Sequence, residues 1–362
     1  MAVALQEALH ELAPEIGVRI LDPFAGQAGN GPLSPGRWYD ATIAHAPWLW
    51  GLFYHATNNR WAVRLGMAAG ALLWARRLSA VIESERPTLI VGVHPLCARL
   101  TADVLHSMPT APPLHCVVTD PITIHRCWAC AAVDMFYVAT PEARDALAAL
   151  DIPLARLHVT GLPVRAAFAQ APVPPPGDTV PHVLLLGGGH PSRRLETIAR
   201  ALATSRLPMR LVIVCGRNAH LRKRLARALD TRATVLGWHD DIAALVRWSN
   251  VVIARGGPTT LVEALSQARP VLIYQVLPGQ EAGNVALVTH AGAGCYLPDV
   301  DALVRAIAAH TDGGFTGNAA QAAWWGSAAR RVAARLLAAQ TETPVVLDGR
   351  LDILTNVDAA QE

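Results

Sequence analysis

Short apolar runs recur along the chain, and amphipathic stretches lie between them. The runs are four to six residues long and show no polar alternation, which is typical of strands covered on both faces, as in a parallel sheet. Helical periodicity marks the stretches Arg193–Ala203, Ala219–Leu229 and Thr259–Ala268. This alternation predicts doubly wound α/β layers. The predicted strands are Thr88–Val93, His115–Thr119, Met135–Val138, His182–Leu186, Leu211–Cys215, Val251–Ala254 and Val271–Tyr274.

A proline-rich segment, Ala169–Pro181, divides the chain into two halves. It has no apolar periodicity, so it predicts a semi-rigid linker between domains. Each half has the size of one Rossmann-like domain, and two such domains are expected to face each other across a cleft. The predicted organisation is a first domain at residues 1–168, the linker at 169–181, a second domain at 182–315, a C-terminal helix at 316–341 and a loosely ordered tail at 342–362.

Composition excludes several classes of protein. Of the 362 residues, 52% are hydrophobic and 16% are charged, which is incompatible with a disordered chain. No apolar run reaches the roughly 18 residues that a transmembrane helix needs, and Leu65–Trp74 comes nearest. The sequence therefore predicts no membrane span, although it remains compatible with a protein that rests on a membrane. The net charge of +3 is too small to make nucleic acid an expected partner.

The six cysteines do not form a secreted disulfide pattern. Only Cys127 and Cys130 are spaced as a redox or metal-binding pair, and without a second pair we interpret them as structural thiols. The first twelve residues lack the basic and apolar regions of a secretion signal. We therefore expect a cytoplasmic location.

Two glycine clusters follow predicted strands in the second half. The first comprises Gly187, Gly188 and Gly189 and is followed by His190. The second, Arg255–Thr260, contains Gly256, Gly257 and a proline suited to the first turn of a helix. Small residues at a helix N-terminus let backbone amides approach an anion. One cluster alone is equally typical of a tight turn, but the two together predict a site for a diphosphate.

Further polar residues lie on predicted loops of the same half. Gln280, Glu281 and Asn284 are able to hydrogen-bond a polyhydroxylated ligand, although such a loop is also typical of a plain surface. Arg217 follows a predicted strand and Trp238 comes shortly after it in the chain, where the two residues fit either the border of a base pocket or ordinary turns.

Taken in order, these segments resemble a known family of glycosyltransferases. The chain is similar to the GT-B glycosyltransferases related to MurG, and particularly to the branch of monogalactosyldiacylglycerol synthases and diacylglycerol glucosyltransferases. The resemblance covers roughly residues 1–310. It is carried by HAPWLWGLFYHAT (45–57), VGVHPL (91–96), VVTDPITIHRCW (117–128), VDMFYVAT (133–140), VTGLPVRAAF (159–168), VCGRN (214–218), LGWHDDI (236–242), ARGGPTTLVEAL (254–265) and LPGQEAGNV (277–285).

The resemblance implies a UDP-sugar donor held mainly by the second domain. Glu263 would then accept hydrogen bonds from the ribose hydroxyls, and the loop around Gln280 would hold the sugar. The glycine turns would face the diphosphate, and Arg217 and Trp238 would border the uracil. The donor-binding residues expected on this basis are Gly187, Gly188, Gly189, Arg217, Trp238, Arg255, Gly256, Gly257, Pro258, Thr259, Thr260, Glu263, Gln280, Glu281 and Asn284.

The reaction implied is an inverting transfer of a hexose from UDP to a lipid hydroxyl, with diacylglycerol as the expected acceptor. Helix N-termini are able to stabilise the leaving diphosphate without a metal ion. The motif Asp299-Val300-Asp301 precedes a helical stretch, so we interpret it as a helix cap and not as a metal site. We therefore expect no metal and no cofactor, with the UDP-sugar acting as a co-substrate.

The first domain is expected to face the membrane and the acceptor. Aromatic residues and arginines are interleaved within the first 75 residues, a pattern that suits a membrane interface but is also satisfied by buried core aromatics. Trp48, Trp50 and Trp128 are the expected contacts to lipid. This predicts a peripheral enzyme at the inner face of the membrane.

In one respect the chain departs from the family. The family's chains open with a strand and a glycine-rich loop that ends in a histidine, the usual candidate for the catalytic base. This chain opens with a predicted helix, Ala2–Leu12, followed by a strand at Val18–Leu21, so the first strand and its loop have no counterpart here.

The base is therefore unassigned from sequence. By position, His94, Asp120 and His125 are the candidates that remain. Two alternatives stay open: a catalytically impaired or truncated homologue that binds a nucleotide sugar, and a UDP-N-acetylglucosamine 2-epimerase on the same fold.

Overall fold

The computed structural model describes residues 1–22, 42–43, 46–174, 177, 180–188, 193–310, 318–341 and 350–354. The chain divides into two compact units. The first unit comprises Met1–Tyr39, Leu49–Ala166 and Ser327–Glu362, and the second comprises Asp40–Trp48 and Ala167–Gly326.

The first unit is built on a six-stranded sheet in which every pair of neighbours is parallel. The order across the sheet is β1-β12-β2-β3-β4-β5. Strands β2 and β3 are buried along their whole length, as is typical of mainly apolar strands covered on both faces. The strands are β1 (Gly17–Leu21), β2 (Leu89–Gly92), β3 (Leu114–Val117), β4 (Met135–Val138), β5 (Leu157–Val159) and β12 (Arg350–Leu354).

Helices cover both faces of this sheet. On one face α3 and α4 contribute Val63, Ile82 and Leu100 to a core beneath β2, β3 and β4. On the other face α1 and α14 pack Leu5 and Val332 against the same strands. The helices are α1 (Ala2–Leu12), α2 (Pro47–Thr57), α3 (Arg60–Glu85), α4 (Pro95–His106), α5 (Pro141–Ala148) and α14 (Ala328–Thr341).

The second unit repeats the architecture with a second parallel sheet, in the order β11-β10-β9-β6-β7-β8. Its core lies where β6, β7, β9 and β10 meet helices α7, α8 and α12. The strands are β6 (His182–Leu186), β7 (Arg210–Val214), β8 (Thr234–Leu236), β9 (Val251–Arg255), β10 (Val271–Gln275) and β11 (Gly294–Tyr296).

The helices of the second unit follow from local sequence signals. Asn218 and Asp241 cap α8 and α9, because each side chain accepts a backbone amide of the first turn. A short helix, α6, stands at the boundary between the units. The helices are α6 (Ala166–Ala169), α7 (Arg193–Thr204), α8 (Ala219–Leu229), α9 (Ile242–Trp248), α10 (Pro258–Ser266), α11 (Val285–Thr289), α12 (Val300–His310) and α13 (Ala319–Gly326).

The predicted doubly wound α/β architecture is confirmed. Each predicted strand is present, with ends shifted by no more than two residues. The short strands β5, β8 and β11 were not predicted, because three residues carry too little periodicity to be distinguished from a loop. None of the helices within the described ranges combines the length and apolar character needed to cross a bilayer.

The C-terminal part of the chain differs from its predicted organisation. The single helix expected at 316–341 is two helices, α13 in the second unit and α14 in the first. The expected loose tail contains strand β12, which lies between β1 and β2.

The first part of the proline-rich linker is bound to the second unit by hydrogen bonds. Arg269 is 1% exposed, and its guanidinium donates to the carbonyls of Val246, Gln267, Arg247 and Val173. Val173 lies inside the linker, so a buried cation holds it through its carbonyl. Burial lowers the pKa of Arg269 to about 10, which leaves it charged at neutral pH.

Candidate functional site

The glycine turns of the second unit follow neighbouring strands. The chain leaves β6 toward β7 on one side, whereas β9 lies on the other side of β6. In open α/β sheets, ligands bind outside the carboxyl ends of the strands at such a reversal of order. Gly187 and Gly188 follow β6, and Gly256 and Gly257 follow β9. The two clusters therefore meet at this point of the sheet, whereas Gly189 and His190 lie outside the described residues.

Two of these glycines are needed for different reasons. Gly188 has φ +69°, a left-handed conformation that disfavours other residues. Gly256 is needed for space, because a Cβ there would stand 2.8 Å from Cγ1 of Val276. Its amide donates to the carbonyl of Gln275 at 2.8 Å, which fixes the turn.

Helix α10 begins directly after the second turn. Pro258 is its first residue, and its N-cap Gly257 has no side chain to accept an amide. The amides of Thr259 and Thr260 are in the first turn and have no acceptor within the helix. Together with the helix dipole, they make this end of α10 attractive to an anion. Glu263 lies one turn further along and is half-buried.

The loop that follows β10 closes onto this turn. Asn284 is buried and donates from Nδ2 to the carbonyl of Gly256 at 2.9 Å. Oε2 of Glu281 accepts the amide of Leu277 at 2.8 Å, and Oε1 lies 3.8 Å from a guanidinium nitrogen of Arg255. These contacts hold the loop in place. Gln280 lies on the same loop and is half-buried.

Glu281 and Arg255 form a mostly buried pair of opposite charges. Burial raises the pKa of Glu281, and the neighbouring guanidinium of Arg255 opposes that rise. The arrangement therefore places a cation at the carboxyl end of β9, next to the glycine turn.

Arg217 and Trp238 lie together at the ends of β7 and β8. The guanidinium of Arg217 stands 4.5 Å from the centre of the Trp238 ring, a cation–π contact. Trp238 is 59% exposed, and its Nε1 donates to Asp240 at 2.8 Å. An exposed aromatic ring with a guanidinium over its face is a suitable surface for a planar base.

Asp299 is a helix cap, as its position predicts. Its Oδ1 accepts the amide of Ala302 at 2.7 Å at the start of α12. Asp301 is exposed in the first turn of the same helix.

A second polar cluster lies in the first unit, on the loop after β3. Asp120 is buried, and its Oδ2 accepts a hydrogen bond of 2.7 Å from Nε1 of Trp128. The ring of Trp128 is 1% exposed. Trp128 was expected at a lipid surface, but the structure places it in the core. There it orients the carboxylate of Asp120.

His125 is bound through both ring nitrogens. Nδ1 accepts the amide of Cys127 at 3.1 Å, and Nε2 lies 3.3 Å from the hydroxyl of Thr57. Burial lowers the pKa of His125, so the ring is neutral, and the proton belongs on Nε2 because Nδ1 is the acceptor. The Thr57 hydroxyl donates in turn to the carbonyl of Phe53. No lone pair of His125 is left to accept a proton.

Helix α2 is fastened to this loop by residues that the sequence did not single out. The hydroxyl of Tyr54 donates to the carbonyl of Thr123 at 3.4 Å, and its ring meets that of His125 edge-on at 4.9 Å. Asn58 accepts the amide of Arg126. The sequence singled out segment 45–57 for its aromatic residues and its family resemblance but not for these contacts, because they join positions some 70 residues apart.

His94 stands at the carboxyl end of β2, the strand next to β3. It is the N-cap residue of α4, although its side chain makes no capping bond. Burial lowers its pKa to about 4, so it is neutral at physiological pH. His94 and Asp120 therefore follow neighbouring strands at the same edge of the sheet.

The aromatic residues of α2 and α3 divide between surface and interior. Trp48 is 67% exposed, Trp61 is 61% exposed and Leu65 is 73% exposed, whereas Tyr54 is buried and Trp50 half-buried. The exposed members, which we call the aromatic surface, are Trp48, Leu49, Leu52, Phe53, Trp61 and Leu65.

Arginines accompany this surface. The guanidinium groups of Arg60 and Arg64 each lie 5.5 Å from the centre of the Trp61 ring. No aspartate or glutamate occurs between Ala41 and Ile82, a stretch that also contains Arg76 and Arg77.

Family models match both halves of the chain. A model described as "Monogalactosyldiacylglycerol (MGDG) synthase" matches residues 2–164, and one described as "Glycosyltransferase family 28 C-terminal domain" matches residues 182–330. The boundary between them falls within the proline-rich linker.

Plant proteins are among the curated relatives. A probable monogalactosyldiacylglycerol synthase 2 of rice (Oryza sativa subsp. japonica) is 30% identical over 299 residues, which cover 77% of this chain and 64% of the rice protein. Monogalactosyldiacylglycerol synthase of spinach (Spinacia oleracea) is 28% identical, over 75% of this chain and 55% of that protein. The chain therefore spans less than two thirds of the length of these relatives.

Solved structures agree on the fold. The glycosyltransferase of kitacinnamycin is similar with a TM-score of 0.60 and 15% identity, over 93% of this chain and 95% of that one. MurG of Acinetobacter baumannii has a TM-score of 0.52 with 14% identity, over 75% and 78%. UDP-GlcNAc 2-epimerase of Neisseria meningitidis has a TM-score of 0.55 with 14% identity, over 73% and 80%. These likenesses show the GT-B fold.

The burial of His94 predicts an acid-sensitive first unit. We expect His94 to titrate near pH 4 by NMR of its ring nitrogens, against about 6.5 in an unfolded chain. As the pH falls, the unfolded chain binds a proton at His94 near pH 6.5, before the folded protein does. Protonation of His94 therefore leaves the free energy of unfolding unchanged above about pH 6.5 and lowers it progressively between pH 6.5 and pH 4. Titration near 6.5 in the folded protein would contradict this assignment.

Proposed function

The chain belongs to the GT-B glycosyltransferases related to MurG, in the branch of the monogalactosyldiacylglycerol synthases, and from this we propose that it transfers a hexose from a UDP-sugar to diacylglycerol. The observation that carries the proposal is the pair of glycine turns at the carboxyl ends of the neighbouring strands β6 and β9. A diphosphate fits there because amides and a helix N-terminus converge on one point.

The second unit would bind the donor. The amides of Thr259 and Thr260 and the guanidinium of Arg255 would meet the diphosphate, and Glu263 would accept from the ribose hydroxyls. The cation–π pair of Arg217 and Trp238 would border the uracil. Gln280, on the same loop, would reach the sugar, and Glu281 and Asn284 would hold the loop in place.

The first unit would bind the acceptor and supply the base. Among the three candidates, Asp120 is favoured. His125 has both ring nitrogens engaged, and the side chain of His94 makes no capping hydrogen bond that would orient it. A base works best when its geometry is fixed, and the Trp128 indole fixes the carboxylate of Asp120.

The reaction balances with these groups alone. Asp120 takes the proton of the lipid hydroxyl as its oxygen forms a bond to the anomeric carbon of the sugar. The bond from that carbon to the diphosphate breaks on the opposite face, and its electron pair leaves with UDP. Arg255 and the first turn of α10 would stabilise the charge that develops on the diphosphate. Attack from the face opposite the leaving group inverts the anomeric centre.

The aromatic surface would place the enzyme on a bilayer. Its exposed tryptophans suit the boundary between headgroups and acyl chains, and the accompanying arginines suit anionic headgroups. Because Tyr54, Thr57 and Asn58 fasten α2 to the loop of Asp120, a bilayer bound to α2 would bring its lipids toward the proposed base.

The ribose contact is tested by replacing Glu263. We expect Glu263→Ala to weaken UDP binding at least 5-fold, or more than about 1 kcal/mol, because one acceptor serves two hydroxyls. Isothermal titration calorimetry with UDP measures the change. Asp301→Ala is the matched control, since an exposed residue of a helix cap should leave UDP affinity unchanged. Equal affinities of Glu263→Ala and the parent chain would remove the assignment.

The base is tested by Asp120→Asn, which keeps an oxygen acceptor for Trp128. We expect hexosyl transfer to fall at least 100-fold, the usual range for loss of a general base, while UDP affinity stays within 2-fold. The assay offers UDP-glucose or UDP-galactose with vesicles containing diacylglycerol and detects hexosylated lipid by mass spectrometry.

His125→Asn is the companion variant, because its amide oxygen is able to accept the Cys127 amide. It should retain transfer within 10-fold. A fully active Asp120→Asn variant would overturn the assignment of the base. UDP binding without hexosyl transfer by the parent chain would overturn the proposed reaction itself.

The membrane surface is tested by the double variant Trp48→Ala with Trp61→Ala. We expect at least 10-fold weaker binding to vesicles containing anionic lipid, because burial of each ring contributes on the order of 1–2 kcal/mol. Sedimentation with vesicles measures the binding. Trp324→Ala removes an exposed tryptophan of the second unit and should change nothing. Undiminished binding of the double variant would assign membrane contact to another surface.

A further inference from the structure

Strand β12 is the central link of the first sheet. Its five residues pair with β1 on one side, from Gly17↔Arg350 to Leu21↔Leu354. On the other side it pairs with β2, from Leu351↔Leu89 to Leu354↔Gly92. Strands β1 and β2 make no ladder with each other. The last strand of the described chain thus connects its first strand to the rest of the sheet.

Without β12, β1 would lose the one strand that pairs with it in the described part of the chain. Its other attachments include a hydrogen bond from Gln6 of α1 to the carbonyl of Val18, an ion pair between Arg19 and Glu85, and packing of Val18 and Ile20 against the core of the first unit. β1 is the outermost strand and is only partly buried. Polar contacts of this kind contribute about 1 kcal/mol each, so without its ladder β1 would be held mainly by this partial packing.

Without β12, β2 would be an open edge. Its sequence Leu89–Gly92 is apolar and buried on both faces. A long apolar edge with unpaired amides and carbonyls is a site for strand pairing and aggregation. The first sheet therefore contains a slot for one parallel strand between β1 and β2.

Helix α14, which precedes β12 in the chain, ends close to this slot. On α14, Arg331 donates to the carbonyl of Thr160, and Arg330 pairs with Glu11 of α1 at 3.0 Å. At the end of α14, Gln340 donates to Thr88, the residue that precedes β2. Helix α14 thus ends beside the start of the slot at residue 341, nine positions before residue 350 in the sequence.

We propose that residues 350–354 are a strap, a C-terminal strand that inserts between β1 and β2 and without which the first unit does not complete its sheet. The second unit has its own sheet and core, to which the strap contributes no strand. Nucleotide binding therefore does not require the strap. The inference does not depend on the proposed transfer reaction, since it concerns the order of the first sheet.

Two truncations of the full chain test the strap by hydrogen–deuterium exchange. Deletion of residues 342–362 removes the strap, and deletion of 355–362 keeps it. We expect the first deletion to raise amide exchange of β1 and β2 at least 100-fold and leave β6, β7 and β9 unchanged. The second deletion should leave β1 and β2 within 3-fold of the parent chain. Equal protection of β1 and β2 in the two truncations would overturn the proposal.

A point variant tests the strap in case the longer deletion fails to fold. Ile353→Pro removes one ladder amide of a central strand, and Val357→Pro is its control beyond the strand. We expect Ile353→Pro to release β1 and β2 as the longer deletion does, and to leave amide exchange of β6, β7 and β9 unchanged. Full protection of β1 and β2 in Ile353→Pro would contradict the strap, and so would an equal loss of protection in β6, β7 and β9.

Discussion

Burial of both faces of each parallel sheet is the constraint on which the rest of the structure depends. Strands such as β2, β3 and β9 are apolar along almost their whole length, because helices cover them from both sides. Polar side chains and turns that could bind a substrate therefore lie at the strand ends. At the carboxyl ends stand the glycine turns after β6 and β9, His94 after β2 and Asp120 after β3. The same constraint explains why β12 matters, since a sheet buried on both faces leaves no tolerable gap between two of its strands.

The two candidate sites are built in the same way. In each, a loop at a strand end is held by a polar side chain that is itself buried and bonded. Asn284 holds the turn of Gly256 in the second unit, and Trp128 holds Asp120 in the first. A buried polar group without a partner is costly, so each bond both orients a group and removes that cost. The proposed phosphate contacts and the proposed base are thereby rigid before a substrate arrives.

Electrostatics complements this rigidity. The carboxyl end of β9 gathers a helix N-terminus and the guanidinium of Arg255, and both attract an anion. In the first unit burial lowers the pKa of His94 and of His125, so neither adds positive charge at neutral pH. The positive charge of that unit instead includes the arginines beside the aromatic surface. In the proposed reaction the diphosphate and the proton acceptor would therefore be held by separate units.

The sequence by itself determined the fold class, the doubly wound order and the glycine turns, because apolar runs and small residues after strands are local patterns that need no tertiary contact. It also identified Asp120, His125 and Trp128 as a group through one segment. Only the tertiary structure showed their contacts, because it buries Trp128 against Asp120 and engages both nitrogens of His125. The place of β12 was likewise beyond the sequence. The pairing of β12 with β2 joins residues more than 250 positions apart. A five-residue run carries no signal of which strand it will pair with, because the place between β1 and β2 is formed by the other strands of the folded sheet.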